Sequence, residues 1–224
     1  MNEPPILFEA VAIPGIPDGG FSLEVAALST TLIQAPEASG VDLLSRYALG
    51  LVRPASGRVL LLGKDVAALP RRAALAFRRN VGYLPAGDGL MQNLSLRDNV
   101  ALPLRFGSRM SEGDIAGRVS VILGQFRLAG AGDRRPAEVT DEMRRRTALA
   151  RALAFDPPVV LMEDPFDGLT TRASTELLTI ARGGESDDGS RRTVFITGQQ
   201  VPSVVERRIE WRFRLHRGEL EHDA

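Results

Sequence analysis

The sequence predicts an α/β fold with a mostly parallel sheet, and two kinds of pattern indicate it. Three apolar or β-branched runs, at 30–34, 159–163 and 193–197, have the composition of strands that are covered on both faces. Segments in which apolar residues recur at helical spacing separate these runs, as the connections of a parallel sheet require. We therefore expect the three runs to form the centre of the sheet.

The N-terminal part of the chain predicts a small antiparallel β part, then the first parallel strand and a helix. Residues 6–13 and 21–25 have strand patterns and are separated by a segment rich in glycine and proline. The strand at 30–34 leads into a turn, and a helical pattern begins at Asp42. The sequence of residues 57–66 predicts a β-hairpin.

The remainder of the chain predicts alternating helices and strands. Helical patterns interrupted by glycines fill residues 95–130, and a longer helix over 141–155 is stopped by two consecutive prolines. A further helix is expected at 171–182, before an acidic loop at 183–190. The final run, 209–215, alternates apolar with charged residues, so it predicts a strand with one face in the core.

The composition excludes several classes of protein. The 28 basic and 28 acidic residues cancel, so net charge indicates neither nucleic acid nor anionic lipid as a partner. Cysteine is absent, and the two histidines, His216 and His222, lie near the C-terminus, so we expect no histidine-based centre in the core. No apolar run reaches the ~20 residues of a membrane span, and the chain does not begin with a signal pattern. We expect a cytoplasmic protein without direct membrane insertion, held at a membrane only through a partner.

Three stretches of the sequence resemble a known family. They are LGLVRPASGRVLLLGKDVAALP from Leu49, VGYLPAGDGLMQNLSLRDNVALPL from Val81 and RRRTALARALAFDPPVVLMEDPFDGL from Arg144. Their order resembles the nucleotide-binding subunit of an ABC transporter over nearly the whole chain. The resemblance implies a single domain over residues 1–224 with a P-loop NTPase-like core, into which an α-helical subdomain is inserted at about 91–140.

The family's phosphate loop has the pattern G-x-x-x-x-G-K-[ST]. Its backbone N–H groups wrap the phosphates, its lysine neutralises them and its hydroxyl holds magnesium. By resemblance, Val41 stands at the lysine position and Asp42 at the hydroxyl position. Lys64, the only lysine in the chain, is out of register with the motif and predicts a turn instead. The positions assigned to the loop are Ala35, Pro36, Ser39, Gly40, Val41 and Asp42.

The other nucleotide-handling motifs of the family also depart from its pattern. The Q-loop glutamine position holds Ala86, and the switch histidine position holds Gly198. The two Walker B acids occur in swapped order as Glu163 and Asp164, and no aromatic residue stands near Ile13, where the resemblance places the adenine platform. The signature positions are Thr140, Asp141, Glu142 and Met143.

Several of these replacements are acidic. Glu37 and Asp42 place carboxylates in and after the loop, and Asp141 and Glu142 do so at the signature helix. Helix N-termini attract negative charge, so we expect these side chains to take the place of the phosphate and to repel a triphosphate. Without counter-ions they would also repel each other across a head-to-tail homodimer, so we expect no ATP-driven homodimer. The arginines at 144–146 predict a solvated helix face.

Together, the resemblance and the departures predict a non-hydrolysing subunit or regulator of a membrane transporter. Met143, the EDPFDGL stretch and residues 87–104 are similar to the ATPases of Mla/MCE-type phospholipid transporters, which implies a lipid cargo. The partners implied are a membrane permease, in contact with the groove beside residues 84–105, and an active paralogue, with no nucleic acid.

We expect no cofactor and no metal site, and treat Glu163 and Asp164 as a vestigial acidic pair. Two alternatives remain open. The first is a divergent but active subunit that binds and hydrolyses ATP with Mg²⁺. The second is a cytosolic scaffold that has no permease.

Overall fold

A computed structural model describes residues 3–16, 20–36, 39–183 and 191–223, which form two sheets and several helices. The strands are β1 (Ile6–Ala12), β2 (Phe21–Val25), β3 (Thr30–Gln34), β4 (Ser56–Leu61), β5 (Val81–Leu84), β6 (Val159–Glu163), β7 (Thr193–Gly198), β8 (Trp211–His216) and β9 (Glu219–His222). The helices are α1 (Asp42–Ala48), α2 (Arg71–Phe77), α3 (Leu96–Gly107), α4 (Glu112–Gln125), α5 (Asp141–Ala152), α6 (Thr171–Arg182) and α7 (Ser203–Glu206). Short 3₁₀ turns lie at Val66–Ala68, Arg78–Asn80, Ala129–Ala131 and Pro136–Glu138.

The larger sheet has six strands in the order β5-β6-β7-β3-β8-β9. All neighbouring pairs are parallel except β8 and β9. Strands β3, β6 and β7 are internal and almost wholly buried, which confirms the prediction that they form the centre of the sheet. The antiparallel strand β9 was not predicted; it follows a two-residue turn in which Arg217 and Gly218 both have positive φ, as a type I′ hairpin turn requires.

Two apolar clusters cover the two faces of this sheet. On one face, a three-stranded antiparallel sheet in the order β2-β1-β4 packs together with α1. The rings of Phe8 on β1 and Phe195 on β7 lie 5.6 Å apart there. On the other face, α3, α4, α5 and α6 pack against alternate residues of the same strands, such as Val160 and Met162 of β6. The small antiparallel part at the N-terminus is therefore confirmed.

Side-chain caps define where the helices of the second face begin. The Ser95 hydroxyl accepts the Asp98 N–H at 3.0 Å at the start of α3, and Thr140 accepts the Met143 N–H at 3.3 Å at the start of α5. Ser111 and Asp114 form a capping box at the start of α4. Helices α3 and α4 lie within the range predicted for the helical subdomain, and α5 packs against both.

Two predictions about secondary structure are confirmed only in part, and one lies outside the described residues. Of the hairpin predicted at 57–66, only the tight turn forms, with an isolated antiparallel bridge between Leu61 and Lys64, and β4 pairs instead with β1, with Val59 and Leu61 in the apolar cluster. The strand predicted at 209–215 is β8, and Ile209 and Leu215 are buried as predicted, but Trp211 is 44% exposed. Of the acidic loop at 183–190, residues 184–190 are outside the described part of the chain.

Candidate functional site

The carboxyl ends of the central strands bring together three of the predicted positions. Ala35 follows β3, Glu163 ends β6 and Gly198 ends β7. The Ala35 N–H donates to the Gly198 carbonyl at 3.2 Å, and the Asp164 N–H donates to the Thr197 carbonyl at 2.8 Å. Ligand sites of open parallel sheets lie at this edge, so the predicted positions fall where a site is expected.

The loop at 35–42 uses its own backbone donors within the loop. The Ser39 N–H donates to the Pro36 carbonyl, and the Val41 N–H donates to the Ser39 hydroxyl, both at 3.3 Å. The Leu43 N–H donates to the Gly40 carbonyl at 3.0 Å. The N–H groups of Ser39, Val41 and Leu43, at least, therefore have partners inside the chain. Glu37 lies outside the described residues.

Apolar side chains pack around the second glycine of this loop. Gly40 has a φ of 77°, and a Cβ placed on it would lie 2.4 Å from Cγ2 of Ile13. Ile13, Ala35 and Val41 are all buried in the apolar cluster that also holds β1 and α1. Val41, at the lysine position, therefore contributes to the core, and Ile13, near the predicted adenine position, contacts the loop itself.

The expectation that acidic side chains fill the loop is wrong for Asp42. No side chain caps α1, and the Asp42 carboxylate instead lies 3.7 Å from the Arg46 guanidinium one turn further on. The Asp42 side chain is 56% exposed. An acid and an arginine four residues apart on a helix attract each other, and here that attraction pairs the carboxylate with a side chain of its own helix.

Glu163 is enclosed at the end of β6, where it is only 2% exposed. Its Oε2 accepts the Ala86 N–H at 3.3 Å, while Oε1 has no hydrogen-bond partner among the described residues. Burial raises the pKa of Glu163, and the nearby Tyr83 hydroxyl and Arg46 guanidinium oppose that rise. Burial and the Glu163 charge in turn raise the pKa of Tyr83. The two predicted positions Glu163 and Ala86 are therefore joined directly.

Asp164 holds the segment that contains the switch position. Its Oδ1 accepts the Gln199 N–H at 2.9 Å. A Cβ on Gly198 would lie 2.7 Å from the same oxygen, so a larger residue at 198 would displace the carboxylate. Gly198 is thus explained by the space that Asp164 occupies. Asp164 and Gln199, together with Asp167 and Gln200, line a cleft of 570 Å³.

The acids at the signature positions are paired with arginines of their own helix. Asp141 contacts Arg144, and Glu142 accepts from Arg146 at 3.0 Å. The premise that Asp141 and Glu142 lack counter-ions is therefore wrong. The absence of an ATP-driven homodimer stays a prediction. The prediction of a solvated arginine face is also wrong, because Arg145 and Arg146 are both buried.

The sequence interpretation missed the arginines that hold the segment after β5. Arg145 donates to the Gly87 carbonyl, and Arg151 donates to the Asp88 and Gly89 carbonyls. Burial lowers the pKa of Arg145 and of Arg151, an effect that nearby aspartates oppose. Spacing was the available signal. Arg144, which pairs with the Asp88 carboxylate, and Arg151 are seven residues apart, so they lie on one face of α5 and can reach the same segment.

A second depression, which we call the α2–α3 groove, has a volume of 770 Å³. Leu75 of α2 and Phe106 of α3 line it and are exposed, Phe106 by 87%. The Arg79 guanidinium lies 5.9 Å from the centroid of the Phe155 ring, another lining residue. The groove therefore combines an apolar floor with arginines, and it adjoins the 84–105 range predicted to contact a permease.

Membrane-spanning helices and metal-binding clusters are both absent from the described part of the chain. Within residues 3–16, 20–36, 39–183 and 191–223, no helix is long and apolar enough to cross a membrane. Over the same ranges, no three or more acidic or histidine side chains are grouped so that they could hold a metal ion.

These contacts do not fit a magnesium nucleotide held in the manner of the phosphate-loop motif. The motif needs free N–H groups and a cation at the loop, whereas here Ser39 accepts the Val41 N–H and Ile13 covers Gly40. The carboxylate that would order magnesium, Glu163, is enclosed with the Ala86 N–H and close to Arg46. Among the described residues, the arrangement therefore differs from the phosphate-loop motif at Gly40, Val41 and Glu163.

Comparisons with known proteins agree with the fold. The profile of a family described as "ABC transporter" matches residues 20–167. The sulfate/thiosulfate import ATP-binding protein CysA of Thermosynechococcus vestitus is 34% identical over 182 residues, covering 81% of this chain and 52% of that protein. The protein of the same name from Pseudomonas putida is 34% identical over 187 residues, covering 82% and 55%. The chain spans about half the length of the curated relatives it matches.

Solved structures show the same architecture. The ATP-binding cassette MJ0796, in a dimeric post-hydrolysis state with ADP and Pi, matches with a TM-score of 0.82 over 97% of this chain and 98% of that chain, at 21% identity. CbiO1 from Clostridium perfringens, part of the ABC transporter complex CbiONQ, matches with a TM-score of 0.80 over 98% and 87%, at 18% identity. These likenesses concern the fold alone and confirm the predicted fold class.

Proposed function

The chain belongs to the ABC transporter family, and from this premise we propose that it serves a membrane transporter as a subunit or regulator that does not hydrolyse ATP. The observation that carries the proposal is the state of the loop at 35–42. The N–H groups of Ser39 and Val41 have partners inside the loop, Val41 is part of the core and Ile13 lies against Gly40. A triphosphate would have to displace buried apolar side chains without the lysine that normally compensates.

The acids at the end of β6 support the same proposal. General-base or water-orienting chemistry needs a carboxylate within hydrogen-bond reach of the reacting water. Glu163 is buried against Ala86, and Asp164 accepts the Gln199 N–H. Both carboxylates hold neighbouring backbone, so they contribute to the structure of the site rather than to catalysis.

The test is ATP hydrolysis by the purified chain, with Glu163→Gln and Asp164→Asn purified in parallel. These variants remove each acid in turn and carry the same contaminating activities. We expect the three proteins to release phosphate at one background rate. A wild-type rate about tenfold above both variants would contradict the proposal, since removing a carboxylate that acts in catalysis costs at least that much.

The partner we propose is a permease that docks in the α2–α3 groove. Exposed Phe106 and Leu75 offer apolar contact area, and Arg72 and Arg79 offer positive charge at its side. These features suit a short helix that presents apolar residues flanked by acids. We expect Phe106→Asp to abolish co-purification with the permease. The matched control is Val121→Asp, which alters an exposed apolar residue of α4; if it disrupts binding equally, the groove is not the docking site.

The cargo that we carry forward from the sequence resemblance is a lipid. The relatives found by comparison are instead named for sulfate and thiosulfate import, and their names do not support the lipid subgroup. The permease that co-purifies with the chain decides between these classes, because the permease forms the substrate path. A partner with a lipid-binding domain would support the lipid cargo, and one of the sulfate-import type would contradict it.

The alternative of an active ATPase rests on 34% identity to proteins named as ATP-binding. An active paralogue could provide the motifs that this chain lacks. Because the chain is altered at both its loop, at Val41, and its signature, at Asp141 and Glu142, such pairing would leave both shared sites incomplete. Stimulated hydrolysis on mixing with the paralogue would favour this alternative, and failure to find any permease would favour a cytosolic scaffold.

A further inference from the structure

The five residues that follow β5 and lead towards α3, here called segment 86–90, are each fixed by a hydrogen bond. At its start, the Ala86 N–H donates to Glu163 at 3.3 Å. At its end, the Leu90 N–H donates to the Asp88 carboxylate at 2.9 Å. Between them, Gly87, Asp88 and Gly89 offer their carbonyls to arginines of α5.

Three arginines of α5 form the clamp on this segment. Arg145 donates to the Gly87 carbonyl. Arg151 donates to the Gly89 carbonyl at 2.7 Å and to the Asp88 carbonyl at 3.2 Å. Arg144 pairs with the Asp88 carboxylate at 3.2 Å. Hydrogen bonds with a charged partner are stronger than neutral ones. These arginines therefore hold the segment more strongly than the same number of neutral hydrogen bonds would.

The segment would be free to bend without the clamp. Gly87 and Gly89 both have positive φ, at 73° and 56°, and glycine is the residue that resists backbone motion least. Segment 86–90 also lies on one of the two connections between the six-stranded sheet and α3–α5, the other being residues 153–158 between α5 and β6, so a rotation of α3–α5 against the sheet would bend it. The segment thus has a flexible sequence but is fixed by charged side chains. This combination indicates that the orientation of α3 relative to the sheet is under constraint.

We propose that segment 86–90 is a rigid strut that holds α3–α5 at one orientation to the sheet, and that Arg145 and Arg151 are the positioning residues that keep it rigid. Arg151 also lines the α2–α3 groove, so an occupant of the groove meets a surface whose shape the strut fixes. The sheet end of the strut is tied to Glu163. The inference holds whether or not nucleotide binds.

The test is hydrogen exchange of the Ala86 and Leu90 amides, measured by NMR on the full chain without nucleotide. The variants are Arg145→Met and Arg151→Met, which keep the apolar stem and remove the guanidinium. The control is Arg118→Met, which removes a comparable bond, 2.7 Å long, to the Ala154 carbonyl elsewhere. We expect both amides to exchange slowly in the wild type and about tenfold or more faster in the two clamp variants, with no change in the control.

Two results would overturn the strut. One is exchange of the wild-type amides at the rate of an unprotected loop. The other is an unchanged rate in both clamp variants. If either variant speeds up every amide in the protein, Arg144→Met decides, because Arg144 contacts the segment only through the Asp88 carboxylate, and its other partners, Asp141 and the Val139 carbonyl, lie at the start of α5: local acceleration supports the strut and its absence contradicts it. Since no nucleotide is present, failure here leaves the proposed lack of hydrolysis unaffected.

Discussion

The loop at 35–42 and segment 86–90 border the same edge of the sheet, yet different forces hold them. The loop is fixed by buried apolar side chains such as Ile13 and Val41 and by neutral hydrogen bonds such as that of Ser39. The segment is fixed by the guanidinium groups of Arg145 and Arg151. A neutral hydrogen bond contributes about 0.5–1.5 kcal/mol net and one to a charged group about 1.5–3 kcal/mol.

The loop carries Val41 at the lysine position and the segment carries Ala86 at the Q-loop position, and these two departures from the family pattern have different physical consequences. At the loop, our proposal is that shape excludes a ligand, because the buried side chains of Ile13 and Val41 pack there. At the segment, our proposal is that charge restrains motion, because the carbonyls of residues 87–89 accept from guanidinium groups. Changes of volume should therefore act mainly at the loop, and changes of charge mainly at the segment.

The largest effect is expected from Ile13→Ala. Ile13 is buried against Gly40, and deleting a buried isoleucine side chain to alanine costs about 2–4 kcal/mol through lost burial and a residual cavity. Urea unfolding measures the loss. The exposed residue Val121, changed to alanine, is the control and should alter stability by less than about 0.5 kcal/mol. Equal effects at the two positions would contradict the packed loop.

Arg145→Met comes next, with an expected loss of about 1–3 kcal/mol, because the Gly87 carbonyl loses a charged donor and nearby aspartates lose a cation. Because the substitution conserves much of the side-chain volume, the loss of stability separates the effect of charge at the segment from the effect of volume at the loop. Urea unfolding again measures it. An unchanged or increased stability would mean that desolvating the guanidinium costs as much as its contacts contribute.

The pH dependence of the stability of Glu163→Gln tests the enclosed carboxyl that accepts the Ala86 N–H at the start of segment 86–90. Burial raises the pKa of Glu163 above its usual 4.5, so its contribution to folding is fully present below that pH and is lost as pH rises through the folded-state value. We expect the free energy of unfolding of Glu163→Gln, relative to wild type, to increase as pH rises from about 4 to neutral. Thermal melts across that range measure it, and a constant difference would show that Glu163 is not desolvated.

The smallest effect is expected from Asp42→Ser. The exposed pair with Arg46 is an i,i+4 contact, and such pairs contribute about 0.2–0.5 kcal/mol. The loss should diminish in high salt, which screens exposed pairs. A loss above about 1 kcal/mol that persists in salt would restore the interpretation that this carboxylate fills the loop.

Much of the fold could be predicted from the sequence because its signals are local. The buried runs that became β3, β6 and β7 and the helix at 171–182 follow from composition and spacing. The pairing of β4 with β1, in place of a full hairpin at 57–66, was not indicated because it depends on residues distant in sequence. The alternation at 209–215 indicated a strand correctly but not its place near the sheet edge, which leaves Trp211 exposed.

The positions of the candidate site could be predicted, but not the contacts between them. Motif spacing placed Val41, Ala86 and Gly198 at the sheet edge. It could not reveal that Ile13 packs on Gly40 or that Asp42 turns to Arg46, since both depend on side-chain direction in the folded chain. A run of arginines usually predicts a solvated helix face. The burial of Arg145 depends on segment 86–90 and that of Arg146 on Glu176 of α6, and both contacts join residues distant in sequence.

Calorimetric titration of the purified chain with Mg-ATP measures whether the loop at 35–42 excludes the nucleotide. An active ABC ATPase subunit titrated in parallel confirms that the nucleotide is competent. We predict no saturable heat up to millimolar Mg-ATP, because Val41, Ile13 and the internal donors leave the phosphates without partners. A single binding transition with a micromolar dissociation constant, equivalent to about −8 kcal/mol, would contradict the account.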